Sequence, residues 1–275
     1  MLIRSKLFVP GSRTELFQKA ANSVADAISF DLEDAVAPDR KEAARTAVAA
    51  FLRENSGIPG KVAIVRVNAL STDWFAGDIE ALAGSGVDVI NLPKVESAGE
   101  VRRAIEAIGG NIRVLANIET PKGVRLAAEI AAADPRVIGL QIGFADLFLP
   151  IGIDRRNASA QQFVRVAVRL AAGEAGIAAY DAAFPDIKDP AECRAESEAA
   201  RQLGYAGKSC IHPSQIAIVN EVFAPRPEEI EYAEKVLAAA HNAAEQGIQA
   251  FVVDGKLIDA PMIDHARAVM EQNAR

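Results

Sequence analysis

The sequence has few cysteines that could form the disulfide bonds of secreted folds, and it has no apolar run long enough to cross a membrane. Cysteine occurs only at Cys193 and Cys210, without a CxxC spacing, so neither a disulfide framework nor a structural zinc site is predicted. No apolar run approaches the roughly 20 residues that span a bilayer, and the first residues, MLIRSKLFVPG, are not typical of a signal peptide. The net charge of −7 argues against nucleic acid or an anionic membrane as a partner. These features predict a cytoplasmic metabolic protein.

Strand-like and helix-like runs alternate along most of the chain. Near-continuous apolar runs such as residues 62–65 are typical of parallel strands that are covered on both faces. Spacings typical of helix N-termini begin at Ser12, Ser97 and Asp189. The predicted strands are Ser5–Val9, Ala27–Asp31, Val62–Val67, Asp88–Leu92, Arg113–Ile118, Val137–Ile142, Ala178–Tyr180 and Ala206–Cys210. Eight such units over residues 1–224 predict an α/β fold, a TIM-type (β/α)8 barrel. An open doubly wound sheet is the alternative, although no GxGxxG motif follows the first strand.

The last part of the chain, residues 225–275, is more than a barrel needs. Pro225-Arg-Pro227 interrupts the pattern, and a long helix is predicted from Glu228 to about Gln246. Asp254-Gly255 between two short apolar runs predicts a hairpin, and a final helix follows from about Pro261. This C-terminal helix–hairpin–helix extension is interpreted as a packing appendage or as a lid or subunit-interface element.

Charged residues follow most of the predicted strands. Catalytic residues of α/β barrels lie at the carboxyl ends of the strands, so this repetition predicts a polar active site at one end of the barrel. The charged residues at these strand ends are Asp31, Glu33, Asp34, Arg66, Lys94, Glu119, Asp146, Asp181 and Lys208.

Glu119 and Asp146 are about one strand–helix unit apart, so they are expected to follow neighbouring strands. Adjacent strands lie about 4.8 Å apart, which lets two carboxylates converge on one cation. Mg²⁺ prefers carboxylates together with water or substrate oxygens, and no histidine or cysteine stands beside them to favour zinc. A magnesium site is predicted, and ion pairs with a nearby lysine or arginine are the alternative.

Arg66 is a cation at the same end of the predicted barrel. A guanidinium can bind a substrate carboxylate through two parallel hydrogen bonds. The alternative is an ion pair with Glu33 or Asp34. Those two carboxylates are themselves candidates for holding metal-bound water or for capping the helix that follows them.

Two lysines and one histidine complete the candidates. Lys94 and Lys208 are candidate substrate ligands, although a Schiff-base lysine would also end a barrel strand. His212 precedes Pro213, and N-capping of a helix is its alternative role. His241 and His265 fall in predicted helices and are interpreted as non-catalytic.

Six ordered motifs resemble those of the HpcH/HpaI aldolase–citrate lyase beta-subunit family, and the likeness extends from the N-terminus to the hairpin at residues 253–259. The motifs are Arg4-Ser-Lys-Leu-Phe-Val-Pro-Gly11, Asp31-Leu-Glu-Asp-Ala-Val36, Arg66-Val-Asn68, Leu92-Pro-Lys-Val-Glu96, Ile118-Glu-Thr120 and Gly207-Lys-Ser-Cys-Ile-His-Pro213. The likeness is greatest to the coenzyme A thioester branch, which includes citryl-CoA, malyl-CoA and citramalyl-CoA lyases.

The resemblance implies a role for each matching position. Glu119 and Asp146 correspond to magnesium ligands, and Arg66 corresponds to the group that holds the carboxylate of the keto-acid portion. The positions that correspond to CoA-contacting and substrate-lining residues are Phe8, Arg13, Lys19, Ile211 and His212.

Asp259 resembles the acid of a terminal hairpin that, in relatives, reaches the active site of a neighbouring subunit. The resemblance therefore implies a homotrimer or trimer-based assembly in which Asp259 is the general base. The implied reaction is a Mg²⁺-dependent retro-Claisen cleavage of a small hydroxyacyl-CoA, with citramalyl-CoA giving pyruvate, a 2-oxo acid, and acetyl-CoA.

Other functions remain as alternatives from the sequence alone. Within the family these are a citryl-CoA or malyl-CoA lyase, an aldolase acting on free oxo acids, and a citrate lyase beta subunit acting on a carrier-protein thioester. A non-catalytic barrel that binds acyl-CoA is the alternative from another class of protein.

Overall fold

The computed structural model describes residues 3–274 of the chain. Within this range the chain forms two compact units, Ile3–Val222 and residues 223–274. The first unit contains all of the parallel strands, and the second contains most of the predicted extension. A role of the second unit as a lid or interface element stays a prediction.

In the first unit, parallel strands form a closed barrel in which each strand pairs with the next along the chain, and the last pairs with the first. The strands are β1 Ser5–Pro10, β2 Ala27–Asp31, β3 Val62–Arg66, β4 Val89–Leu92, β5 Arg113–Ile118, β6 Val137–Ile142, β7 Ala178–Asp181 and β8 Gly207–Cys210. The predicted (β/α)8 barrel is confirmed, and every predicted strand agrees with the observed one to within one residue at each end. Because β8 closes on β1, the open doubly wound sheet is wrong.

Helices separate the strands and continue through the second unit. They are α1 Phe17–Ala21, α2 Lys41–Glu54, α3 Trp74–Leu82, α4 Ala98–Ile108, α5 Pro121–Arg125, α6 Ala127–Ala131, α7 Phe144–Phe148, α8 Ala158–Glu174, α9 Pro190–Gln202, α10 Pro213–Phe223, α11 Pro227–Glu245 and α12 Ala260–Asn273. Across the described residues, no helix has both the length and the apolar character needed to cross a membrane.

Two of the three predicted helix starts are confirmed. The Ser97 hydroxyl accepts a hydrogen bond from the Glu100 backbone N–H, and the Asp189 carboxylate accepts one from Glu192. The prediction at Ser12 is wrong. A 3-10 turn begins at Thr14 instead, and the Glu15 carboxylate, which a capping box would use, pairs with the neighbouring Arg13 guanidinium.

Side chains of a barrel strand point alternately into the barrel and out toward the helices. At the amino-terminal ends of the strands the interior is apolar and closed. The buried cluster there consists of Ile3, Ala27, Ile64, Val89, Leu115 and Tyr180. Access to the interior is therefore from the carboxyl-terminal end, where the polar residues follow the strands.

The second unit has its own small core. β9 Phe251–Val253 and β10 Lys256–Ile258 form an antiparallel hairpin, as predicted. Asp254 and Gly255 both have positive φ, at 48° and 76°, which is the backbone that this two-residue turn requires. Ile258 is completely buried, and with Val253 it packs among side chains of α11 and α12.

Candidate active site

A cavity of about 630 Å³ opens among the carboxyl-terminal ends of the barrel strands. Seven of the residues predicted from the sequence line it, namely Phe8, Asp31, Asp34, Arg66, Glu119, Asp146 and Ile211. The cavity is therefore the candidate active site.

Glu119 directly follows β5 and is 2% exposed. Its Oε1 accepts a hydrogen bond of 2.7 Å from the Lys94 backbone N–H, and its Oε2 lies 3.4 Å from Asn117 Nδ2. Directly after the adjacent strand β6, a Cβ atom at Gly143 would stand 2.3 Å from Glu119 Oε2. Only glycine lets the chain pass this close to the carboxylate.

Asp146 lies in α7, which follows β6, and β6 is the neighbour of β5 in the barrel. Burial raises the pKa of Glu119 to about 7, and the charges of Glu33 and Asp146 add to the rise, while Arg66 opposes it. The contribution from Asp146 indicates that the two predicted metal ligands share one electrostatic environment. A carboxyl that is buried beside other carboxylates holds its charge at lower cost when a cation is bound there.

The donor set fits a hard divalent cation such as Mg²⁺. Among residues 3–274, no group of three or more His, Cys, Asp and Glu side chains is arranged to hold a metal ion. Protein ligands for a cation at this cavity would therefore be the two carboxylates, with water and substrate oxygens completing its shell. Mg²⁺ is commonly bound in this way, because it keeps several waters.

Arg66 is largely buried at the same cavity and is tied to three carboxylates. Its Nε and Nη2 donate to the two oxygens of Asp31 at 2.8 and 2.7 Å, and its Nη1 lies 2.9 Å from Glu33 Oε2. Burial acts to lower the pKa of Arg66, but the charges of Asp31 and Glu33 outweigh this effect and raise the pKa. The predicted ion pair is confirmed, and Asp31 is its main partner. A guanidinium has five N–H groups, so donors remain beyond the pair with Asp31.

Lys94 closes one side of this network. Its Nζ lies 2.6 Å from Glu33 Oε1 and 3.3 Å from Asp34 Oδ1. Burial acts to lower the pKa of Lys94, but the Glu33 and Asp34 carboxylates outweigh this effect and raise the pKa. A Schiff-base lysine must lose its proton to react, so these ion pairs disfavour the Schiff-base interpretation of Lys94.

We call these charged groups the mouth cluster. Within the described chain, it consists of two cations in ion pairs and a larger number of carboxylates, namely Arg66 and Lys94 with Asp31, Glu33, Asp34, Glu119 and Asp146. Negative charge is therefore in excess at the cavity.

Three of the predicted residues lie away from the lining of the cavity. Arg13 is 58% exposed and pairs with Glu15, and Lys19 is exposed on α1. His212 is also exposed, and its Nδ1 accepts a hydrogen bond of 3.2 Å from the Ser214 backbone N–H at the start of α10. The N-capping interpretation of His212 is therefore confirmed, while contacts of all three with CoA stay predictions.

Asp181 and Lys208 are not at the cavity, contrary to expectation. Their side chains point outward from β7 and β8, because strand residues alternate. Lys208 Nζ lies 2.5 Å from Asp181 Oδ2, and both side chains are fully buried. The group that we call the wall cluster consists of Arg155, Arg165, Asp181, Glu196 and Lys208. The interpretation of Lys208 as a substrate ligand is therefore wrong.

Asp259 is in the second unit. It is the residue before α12, and it lies directly after β10. Its side chain is exposed and borders a surface pocket that is also lined by Phe251 and Ile263. The catalytic role of Asp259 stays a prediction.

Sequence reasoning missed polar residues inside the barrel. Asn117 and Gln141 line the cavity, and Lys6 is buried with its Nζ bonded to Gln141 Oε1. The signal that was available is the two-residue period of a strand. Asn117 stands two before Glu119, and Lys6 two before Phe8.

A closed parallel barrel with an acidic cavity at the carboxyl ends of its strands defines the class of α/β-barrel enzymes. Residues 4–213 match the HpcH/HpaI aldolase/citrate lyase family. The chain belongs to this family, and it is an enzyme of the citrate lyase beta-like group.

Similar proteins agree with this membership. Citrate lyase subunit beta of Escherichia coli (strain K12) is 37% identical over 98% of this chain and 92% of its own. A (3S)-malyl-CoA thioesterase of Cereibacter sphaeroides is 40% identical over 97% of this chain and 93% of its own. The structure of CitE from Mycobacterium tuberculosis with magnesium, acetoacetate and coenzyme A has a TM-score of 0.83 and 36% identity, and covers 100% of this chain and 99% of that one.

Proposed function

We propose that this protein is a Mg²⁺-dependent lyase that cleaves a C–C bond of a small hydroxyacyl-CoA, with (3S)-citramalyl-CoA giving pyruvate and acetyl-CoA. The observation that carries the proposal is the excess of carboxylates in the mouth cluster around a cavity of about 630 Å³. The structure of CitE from Mycobacterium tuberculosis with magnesium and pyruvate supports it. So does the structure of a citrate lyase beta subunit from M. tuberculosis with oxaloacetate and magnesium.

Glu119 and Asp146 would hold the magnesium ion. A bound Mg²⁺ would supply Lewis-acid stabilisation of the negative charge on the substrate oxygens. Glu33 and Asp34 lie on the Arg66 side of the same network, where they would accept hydrogen bonds from metal-bound water. Their ion pairs with Lys94 keep these carboxylates in place.

Arg66 binds the carboxylate of the oxo-acid portion in this proposal. Asp31 occupies the edge formed by Nε and Nη2, which fixes the plane of the guanidinium. One N–H group of Nη1 and one of Nη2 remain beyond the contacts with Asp31 and Glu33, and these would donate to the substrate carboxylate. A planar fork that is fixed in advance loses little rotamer entropy when it binds a carboxylate.

The wall of the cavity favours a small apolar substituent on the hydroxyl-bearing carbon. Ala182, Ala183 and Phe144 line it, whereas the carboxymethyl group of citryl-CoA would need a free cation. Arg155 reaches the same wall, but its guanidinium is bound to Glu196 and to the Ala183 carbonyl oxygen. The methyl group of citramalyl-CoA therefore fits this wall better than the carboxymethyl group of citryl-CoA.

The CoA portion would contact the rim of the barrel. Phe8 and Ile211 line the cavity, and the exposed cations Arg13 and Lys19 suit the phosphates of CoA. His212 follows Ile211 at the start of α10, so it belongs to the same rim in this proposal. An aldolase for free oxo acids would not use these positions.

The general base is proposed to be Asp259 of a neighbouring chain, in a homotrimer or trimer-based assembly in the cytoplasm. The family resemblance supports this assignment. Asp259→Ala should lose most turnover and still bind Mg²⁺, and mixing it with Glu119→Ala after subunit exchange should restore part of the activity. If mixed oligomers stay inactive while each variant behaves as expected, Asp259 acts within its own chain.

The substrate is tested by comparing citramalyl-CoA, malyl-CoA and citryl-CoA at saturating Mg²⁺. A difference of one methyl group is worth about 10- to 200-fold in kcat/KM, so we expect at least a tenfold preference for citramalyl-CoA. A higher kcat/KM for malyl-CoA or citryl-CoA would replace the proposed substrate and leave the reaction type intact. Turnover only with a carrier-protein thioester would instead indicate a citrate lyase beta subunit, and no turnover would indicate a CoA-binding protein.

Hydrolysis of malyl-CoA is a second candidate, and the 40% identical (3S)-malyl-CoA thioesterase favours it. The products distinguish the two reactions. A lyase converts malyl-CoA into glyoxylate and acetyl-CoA, whereas a thioesterase gives malate and free CoA. Release of free thiol without glyoxylate would therefore contradict the lyase proposal.

A further inference from the structure

One layer of side chains inside the barrel is entirely polar. Barrel interiors are filled by layers of four side chains from alternate strands, and bulky branched apolar residues dominate them. Here β2, β4, β6 and β8 contribute a layer in which no side chain is more than 4% exposed. We call it the polar layer, and it consists of Ser29, Asn91, Gln141 and Ser209.

The strand register puts this layer between the apolar floor of the barrel and the candidate active site. Gln141 is paired with Asn117, which stands two residues before Glu119 on β5. Ser209 is paired with Lys6, which stands two residues before Phe8 on β1. Asn117 and Gln141 also line the cavity, so the cavity reaches down to the polar layer.

Several polar atoms of this region have no hydrogen-bond partner among the described protein atoms. They are Ser29 Oγ, Asn91 Nδ2, Asn91 Oδ1, Asn117 Oδ1 and Ser209 Oγ, all of them buried. Buried polar atoms without any partner are costly and rare in native proteins. Their concentration around one layer indicates a shared ligand.

Lys6 approaches the polar layer from β1. It is 2% exposed, and its Nζ donates a hydrogen bond to Gln141 Oε1. Burial, together with the charge of Arg66, holds the pKa of Lys6 well below its usual value. Its Nζ also lies 4.7 Å from the centre of the Phe8 ring. Gln141 is therefore the member of the polar layer to which Lys6 is hydrogen-bonded.

We propose that the polar layer binds a cluster of ordered water molecules, and that this cluster positions Asn117, and through it Glu119, from beneath. The unpaired atoms include the carbonyl oxygens of Asn91 and Asn117 and the Asn91 amide N–H group. A cation would bind only the oxygen acceptors, and an anion would accept only from the N–H donor. Water can both donate to the oxygens and accept from the N–H group. The two serines fill less volume than the branched residues that are usual in such layers, which leaves room for water.

Asn117 connects the water cluster to the carboxylate above it. Its Nδ2 faces Glu119 Oε2 at 3.4 Å, while its Oδ1 is among the unpaired atoms. A water that donates to Oδ1 fixes the orientation of the amide, so that Nδ2 stays directed at Glu119. This second step rests on the proposed magnesium site, whereas the hydration of the layer does not.

The first test is a crystal structure of the wild-type protein at a resolution that shows ordered water. We expect water molecules within hydrogen-bond distance of Ser29 Oγ, Ser209 Oγ and Asn117 Oδ1. An interior in which these side chains bond directly to one another, or in which the layer is dry, would overturn the proposal.

The second test measures the affinity for Mg²⁺ by calorimetry, without substrate. Asn117→Leu should weaken binding about 10- to 100-fold, as is typical of groups that orient a metal ligand, and Asn91→Leu by about 3- to 10-fold, since it acts through water. The control is Val89→Ala, two residues from Asn91 on β4, which should lower the melting temperature and leave the affinity unchanged. Ser209→Ala, which should weaken binding less, replaces Asn91→Leu if that variant does not fold.

The outcomes separate the two proposals. If the wild type does not bind Mg²⁺, the proposed function fails, and the waters in the crystal structure still decide the hydration of the layer. The wild type can also bind Mg²⁺ with the same affinity as Asn91→Leu, or as Ser209→Ala where that variant is used instead. In that case the proposed positioning role of the polar layer is wrong.

Discussion

The mouth cluster and the wall cluster are built from the same kinds of charged side chains, but they differ in charge balance and in access. In the wall cluster, Arg155, Arg165 and Lys208 surround two carboxylates, and no side chain is more than 14% exposed. In the mouth cluster the carboxylates outnumber the cations beside an open cavity, and Asp34 is half-exposed.

The charge balance decides what each cluster can do. Asp181 has two cationic partners and Glu196 has three, so adding a cation to the wall cluster would bring no gain. In the mouth cluster, burial and the other carboxylates raise the pKa of Glu119, so a bound cation would lower the cost of its charge. The wall cluster is therefore expected to contribute stability, and the mouth cluster to contribute binding.

The largest effect is expected from Glu119→Gln in the mouth cluster. The variant keeps the shape of the side chain and loses the charge that would hold Mg²⁺. Loss of several kcal/mol of charge stabilisation corresponds to a fall of about a thousandfold or more in kcat. Calorimetry with Mg²⁺ and steady-state kinetics measure it. Full wild-type activity after exhaustive chelation would contradict the metal-dependent mechanism.

The matched change in the wall cluster is Asp181→Asn, which should affect stability instead. It leaves Lys208 and Arg165 buried without their shared partner, and breaking such a pair costs about 3–5 kcal/mol. Urea unfolding should show this loss, whereas kcat per folded molecule should stay near the wild-type value. If Glu119→Gln destabilises the fold as much as Asp181→Asn, the two clusters do not differ in the proposed way.

Arg66→Lys keeps the positive charge in the mouth cluster but removes the planar guanidinium and its paired N–H donors. An ammonium cannot donate to both oxygens of Asp31 and still present a fork to a substrate carboxylate, so we expect kcat/KM to fall about a hundredfold. Arg4→Lys is the control, because Arg4 holds Asp26 through the same pair of nitrogens at the other end of the strands. Equal activity of Arg66→Lys and the wild type would remove Arg66 from substrate binding.

The pH dependence of stability should separate the clusters further. Although burial opposes it, the cations Lys208 and Arg165 lower the pKa of Asp181. A carboxyl whose folded pKa is depressed stabilises the fold above its unfolded pKa, near 3.8, and this contribution is lost as the pH falls through the folded value. The difference in unfolding free energy between the wild type and Asp181→Asn should therefore be full at pH 6 and shrink below about pH 4. A difference that is independent of pH would contradict this.

Some features of the two clusters can be predicted from a single sequence, and others cannot. The strand ends and the pair Glu119 and Asp146 were predicted, because strand–helix alternation and polar strand ends are local patterns. Asp181 and Lys208 were misplaced, since they also end strands and their outward direction depends on the alternation along each strand. The partner of Arg66 was expected to be Glu33 or Asp34, whereas Asp31 occupies most of its edge.

The polar layer escaped the sequence analysis for a related reason. Ser29, Asn91, Gln141 and Ser209 are far apart in the chain, and each alone is an ordinary polar residue in a strand. Only the register of the closed barrel puts them side by side. A layer is a property of four strands together, so no local pattern reports it.

The smallest effect is expected from the exposed cations near α1, which lie outside both clusters. Arg13→Ala or Lys19→Ala should raise KM for the CoA thioester about two- to fivefold and leave kcat unchanged, because exposed ion pairs contribute about 0.2–1 kcal/mol. The effect should shrink in high salt, since salt screens exposed charges. Glu15→Ala should lower KM, because it frees the Arg13 guanidinium from its present partner. Lys188→Ala, an exposed cation after β7, is the control. If it raises KM as much as Lys19→Ala does, the effect reflects the net charge of the protein and not a contact of α1 with CoA.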